Sequence, residues 1–215
     1  MPSIAKAAAA VKAVRILEGP VVRHLTGSGA STSTGGSQER PFASKSDIEY
    51  CREMVRQRDH DNYLCSLFSP PHVREMVWAT RALNVELAHI GDIVSQEAAG
   101  RLRFEFWKNA VSNVFAGQPP QMPVARALTD TVHRFKLSRM WFRRLLKTRE
   151  QNLFSSEFAT VEELQEYGEN TIASLVHMHL EALGVRDMQA DQAARAIGQS
   201  SAIVTALRSL PHFIT

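Results

Sequence analysis

From residue 46 onward, apolar residues recur at helical spacing almost everywhere, and no alternating run long enough for a strand appears. A chain patterned this way folds as packed helices. The spacing predicts helices over 47–58, 71–94, 97–116, 123–135, 138–152, 161–183 and 189–209. Pro70-Pro71 opens the second of these, where a missing N–H costs nothing, and Gly117-Gln118-Pro119-Pro120 separates the third from the fourth. Thr160 and Glu163 read as a reciprocal cap at the start of 161–183. Within that helix Ile172, Val176, Leu180 and Leu183 form one apolar track and Leu164, Leu175 and Met178 another. A wide buried face and a central place in a bundle follow as expectations.

Charge narrows the function classes once it is resolved by region. The whole chain is formally +3, but residues 1–45 hold six basic and two acidic groups, net +4. The remaining 170 residues hold 19 basic and 20 acidic groups, net −1. The body is near neutral, so no nucleic-acid partner is expected. Two cysteines, Cys51 and Cys65, do not make a disulfide scaffold or a CxxC site and read as reduced thiols. Charges interrupt every apolar run, so no segment has the length of about 20 apolar residues that spans a bilayer.

Residues 1–17 carry Lys6, Lys12 and Arg15 with no acid before Glu18, and a Ser, Thr and Gly tract follows at 26–37. Basic, Ser-rich and acid-poor is the composition of a mitochondrial transit peptide; the competing reading is a plain disordered tail. Residues 1–45 are therefore expected to be targeting peptide and linker, and 46–215 the folded domain.

Spacing alone yields no strong chemical motif. His177 and His179 are two residues apart and point to different helix faces, so they cannot chelate one ion together. Three carboxylate pairs stand at i, i+4: Glu49 with Glu53, Glu162 with Glu166, and Asp187 with Asp191. They sit in or near first turns, where acids simply offset the helix dipole. Arg139, Trp141, Phe142, Arg143, Arg144 and Lys147 interleave cations with aromatics, a composition that suits stacking on bases or binding anionic lipid headgroups; helical geometry spreads them around the cylinder, so a core face plus a solvated face is the expectation.

Taken in order, a series of blocks resembles the squalene/phytoene synthase superfamily. They include Tyr50-Cys51 through Arg56, Arg58-Asp59, Tyr63 to Leu67, ALNVELAHIGDIVS at 82–95, Phe106-Trp107-Lys108 and Pro123-Val124-Ala125. Arg149-Glu150, Tyr167, Glu169-Asn170-Thr171, Leu183-Gly184, Ala190-Asp191, Ile197-Gly198, Ile203-Val204-Thr205 and Leu207-Arg208 continue the match. The likeness is nearest to the mitochondrial branch of that superfamily, the complex I assembly factor 6 family. The resemblance implies an all-α, prenyl-synthase-like helical bundle. It also implies a C-terminal truncation, because the family pattern continues for several helices past residue 211.

Active members, as the resemblance implies, hold magnesium and prenyl diphosphate between two Asp-rich helix motifs with acids four residues apart, the geometry a hard divalent ion demands. The first motif falls on 91–95, where Gly91 and Ser95 replace both acids and leave Asp92 between them. The second falls on 205–213, with Ser209 and Phe213 at the expected acids. No cofactor or metal, and no prenyl transfer, is then expected. The implied function is a non-catalytic assembly factor for mitochondrial respiratory complex I, NADH:ubiquinone oxidoreductase. It would act early on a membrane-arm subunit at the matrix face of the inner membrane, with complex I subunits or assembly intermediates as partners and peripheral contact with that membrane as a further expectation. The alternative is a prenyl-lipid-binding protein or a residual prenyltransferase of isoprenoid biosynthesis. The residues implied along the cavity-facing helix are Glu86, His89 and Asp92, with an ordinary i, i+3 contact between Glu86 and His89 as the plain reading.

Overall fold

A computed structural model describes residues 42–153 and 158–209, with the backbone alone of Ser209. Residues 1–41 of the expected targeting and linker segment, and Phe213, lie outside the described residues.

The described residues are helical and contain no strand. In chain order the helices are α1 (Lys45–Arg58), α2 (His60–Ser66), α3 (Pro71–Ile93), α4 (Glu97–Phe115), α5 (Pro123–Phe135) and α6 (Arg139–Gln151). A long final pair follows: α7 (Val161–Gly168), one π-helical turn (Glu169–Ala173) and α8 (Ser174–Ala182), then α9 (Met188–Ser209). Each boundary has a local cause. Pro71 and Pro123 take the first positions of α3 and α5. Gly117 ends the α4 region at φ 72°, and Lys136 ends α5 at φ 53°, both left-handed.

α3 is the central element, packed against α1, α5 and α8 and touching α2, α4 and α6. It buries Val73, Met76, Val77, Ala79, Leu83, Leu87 and Ile90 against a core that includes Phe104, Leu128, Phe142, Leu145 and Met178. Each such side chain contributes about 1.5–3 kcal/mol by leaving water. The Phe115 and Phe142 rings meet edge-on at 5.3 Å.

Three local features depart from the sequence reading. α2 was not expected, because seven residues present too little periodicity to register. The Thr160 hydroxyl does cap α7 by accepting from the Glu163 amide at 3.2 Å, but the Glu163 carboxylate reaches back to the Ala159 amide rather than to Thr160, so the reciprocal half is displaced by one residue. A complete reciprocal cap stands instead at Ser44 and Asp47.

The third departure concerns the track of Ile172, Val176, Leu180 and Leu183. Its first three members are only half-buried, and Leu183 is exposed. The π turn inserts an extra residue into the helical repeat, so α7 leans on α9 while α8 faces α3 and α6. The buried face of α8 is consequently Ser174, Leu175, His177 and Met178.

α9 packs on α7 and the π turn through small residues, Ala194, Gly198, Ala202 and Ala206, four residues apart. Its larger apolar side chains Ile197, Val204 and Leu207 are each at least half exposed, at 50%, 52% and 56%.

Candidate functional site

The polar residues of the last third of α3 and their neighbours form the candidate site. Glu86 is half-buried. Burial pushes its carboxyl above the ordinary range, only partly opposed by the positive charges of His89, Arg58 and Arg103. His89 is paired by its Nδ1 to Asp92 at 3.2 Å, so its direct partner is Asp92 and not Glu86. Tyr50 on α1 is pushed upward by burial and by the Glu86 charge, and burial drives the Cys51 thiol up to about 12.

The stretch expected to carry the first motif, residues 91–95, is interrupted in the structure. α3 ends at Ile93, and Val94 is extended at φ −119° and ψ 129°. Ser95 stands exposed in the link to α4. Gly91 and Ser95 therefore do not share one helix face, which the i, i+4 chelating arrangement requires. Ser209 is the last residue of α9. Among the described residues, no three His, Cys, Asp or Glu side chains converge on a common point that could hold a metal ion.

A second polar cluster lies along α3 toward its N-terminal side, and sequence reasoning missed it. Arg149, near the end of α6, donates to Asn84 Oδ1 at 2.7 Å and to the Tyr167 hydroxyl at 2.8 Å, and its guanidinium lies 5.6 Å from the Tyr167 ring centre. Three helices, α3, α6 and α7, are tied by this one side chain. Its Nε is buried with no hydrogen-bond partner among the described residues. One turn earlier on α3, Arg81 pairs with Asp59 at 3.1 Å. The available signal was that Arg149 and Tyr167 both fall in blocks of the family resemblance.

The remaining sequence candidates are accounted for by ordinary contacts. His177 stacks on Trp141 with ring centres 4.1 Å apart and pairs with Asp191 at 3.2 Å. His179 lies within hydrogen-bond distance of the Ser69 hydroxyl at 3.2 Å. Glu49 and Glu53 each pair with the Arg three residues on, and Asp187 accepts the Gln189 and Ala190 amides at the start of α9.

This framework of helices around α3 is an all-α, prenyl-synthase-like fold. It superposes on the crystal structure of squalene synthase from Alicyclobacillus acidocaldarius with a TM-score of 0.64 at 22% identity, covering 72% of this chain and 57% of that one. The Squalene/phytoene synthase family model matches residues 55–212, and the chain belongs to that family. It is 40% identical over 191 residues to the Homo sapiens protein named NADH dehydrogenase (ubiquinone) complex I, assembly factor 6, covering 89% of this chain and 57% of the relative. Against the Bos taurus protein of the same name it is 43% identical over 163 residues, covering 76% and 49%. The chain thus spans about half the length of these relatives.

Proposed function

We propose that this chain is a non-catalytic assembly factor for mitochondrial respiratory complex I. It acts early, on a membrane-arm subunit, at the matrix face of the inner membrane. The observation that carries the reading is the 40% identity, over 89% of the chain, to a protein named for that assembly role. The interruption of α3 at Ile93, with Gly91 and Ser95 at the chelating positions, supports the absence of prenyl transfer. Without paired acids on one face, several Mg²⁺ ions cannot be held against a diphosphate leaving group. The acid-poor composition of residues 1–45 supports import into mitochondria.

Native-gel quantitation of respiratory complexes after depletion tests the reading, with add-back of this chain. Selective loss of complex I is the expected result. An unchanged complex I would overturn it.

A second reading is favoured by the buried, unpartnered Nε of Arg149: the polar cluster holds the headgroup of a prenyl lipid. Binding without turnover would be compatible with assembly. Magnesium-dependent release of diphosphate from a prenyl diphosphate by the purified chain would replace the assembly reading with an enzymatic one.

A further inference from the structure

Between residues 131 and 149 the chain has seven Lys and Arg and no Asp or Glu, within a body whose net charge is −1. The structure sorts these residues. Phe142, Leu145 and Leu146 are buried, and the Trp141 indole is engaged by His177 and donates to Glu181 at 3.0 Å. Arg139, Arg143, Arg144 and Lys147 are all exposed, and at 100° per residue they fall on one face of α6, with Met140 among them at 51% exposure. Lys136, exposed in the link before α6, extends the same charge.

Five other surface cations have acids close by: Arg52 with Glu49, Arg56 with Glu53, Arg101 with Glu97, Lys108 with Glu105 and Arg195 with Glu169. Lys136, Arg139, Arg143, Arg144 and Lys147 make no ion pair among the described residues. Arg139 and Arg144 lie over the Phe115 and Trp141 rings, which holds them extended across the face rather than folded toward an acid.

We propose that the Lys136, Arg139, Arg143, Arg144 and Lys147 face is a docking surface for an anionic lipid bilayer, seating α6 flat against the headgroups. The cations lie along one face of a single helix and the link before it, not around a cleft between elements. Their charge is spread over three turns without a hydrogen-bonding side chain of fixed geometry between the cations. Such a surface answers a diffuse sheet of negative charge, to which each nearby Lys or Arg adds attraction that fades within about 8 Å at physiological salt. Met140 is placed to enter the headgroup layer as the cations settle. The inference rests on the inner-membrane location in the proposed function, and it fails separately from it: vesicles read the face, and native gels read complex I.

The test is sedimentation of the full 215-residue chain with vesicles of phosphatidylcholine alone or with a fraction of phosphatidylglycerol. Binding to the anionic vesicles only, abolished by high salt, is expected. The variant Arg143→Gln/Lys147→Gln, which removes no ion pair and leaves the ring contacts intact, should lose about thirtyfold in partition, with unchanged circular dichroism. Arg143→Lys should bind as the parent, because the charge and not the guanidinium fork is used. Arg186→Gln, in the exposed link between α8 and α9, should also bind as the parent. A double variant that binds like the parent would assign the attraction to the basic residues 1–45 and overturn the proposal. Equal binding to neutral vesicles would overturn it, as would stronger competition by poly-glutamate than by anionic vesicles, which would make the partner an acidic polypeptide.

Discussion

Gly168 and Gly198 meet backbone against backbone where α7 runs into the π turn: a Cβ on Gly168 would lie 2.3 Å from the Gly198 carbonyl oxygen, and one on Gly198 would lie 2.7 Å from the Gly168 carbonyl oxygen. Two effects of Gly→Ala oppose each other here. Alanine gains about 1 kcal/mol of helix propensity over glycine. The overlap falls on backbone atoms that no rotamer change can clear, and overpacking of this kind costs about 1–3 kcal/mol. Gly198→Ala is therefore expected to destabilise the chain, as measured by denaturant unfolding. A variant as stable as the parent would mean that α7 and α9 are farther apart than described.

The start of α1 is held to α5 by Asp47, which is 3% exposed and accepts from Arg126 Nε at 3.0 Å and from the Ser44 amide at 2.8 Å. Burial pushes this carboxyl up, but the hydrogen bonds from Arg126 and Ser44 outweigh it and hold the acid below its ordinary 3.8. A depressed folded value contributes stability that is present above pH 3.8 and lost as pH falls through the folded value. Asp47→Asn should cost about 3 kcal/mol at neutral pH, the low end for a broken buried pair because Arg126 keeps some contact with water. It should also remove this component of the acid transition. A parental pH profile in the variant would contradict the assignment.

Glu86 has the opposite sign. Its folded value is raised by burial, so its contribution is fully present below the unfolded value near 4.5 and is lost as pH rises through the folded one. Glu86→Gln is expected to raise the melting temperature at pH 7, with the gain shrinking below pH 4.5. A loss of stability at pH 7 would show instead that the Glu86 charge is held by Arg58, Arg103 and His89 more firmly than burial opposes it.

The two cysteines should report the fold chemically. Cys51 is fully buried with its thiol driven to about 12, whereas Cys65 is exposed. One thiol per native chain should react with an alkylating reagent at neutral pH, at Cys65, and two should react in denaturant. Labelling of Cys51 in the native chain, located by peptide mass, would show that α1 opens from α3.

Long helices were readable in the residues because their stops are chemical: Pro71, Gly117 and Pro123 end or begin elements wherever the rest of the chain packs. The π turn at Glu169–Ala173 was not, since no residue type marks it and only the competing demands of α9 on one side and α3 and α6 on the other create it. The same contrast holds at the site. The pairing of His89 with Asp92 lies within one turn and follows from spacing, although the sequence reading gave His89 to Glu86. The Asn84, Arg149 and Tyr167 cluster joins residues 65 and 18 positions apart, a proximity that no local pattern carries.

α9 rests on α7, the π turn and α8 through alanine and glycine, and its larger side chains Ile197, Val204 and Leu207 face outward. Its tie to α2 is Arg208 with Asp61, both about 70% exposed, a kind of pair that contributes little. Close backbone approach without bulky interlocking side chains gives an attachment that is tight in distance but shallow in the number of atoms to separate. The protein is thus graded in permanence along its length. Amide hydrogens of α9 should exchange with solvent through partial openings, while those of α3 wait for the whole chain to unfold.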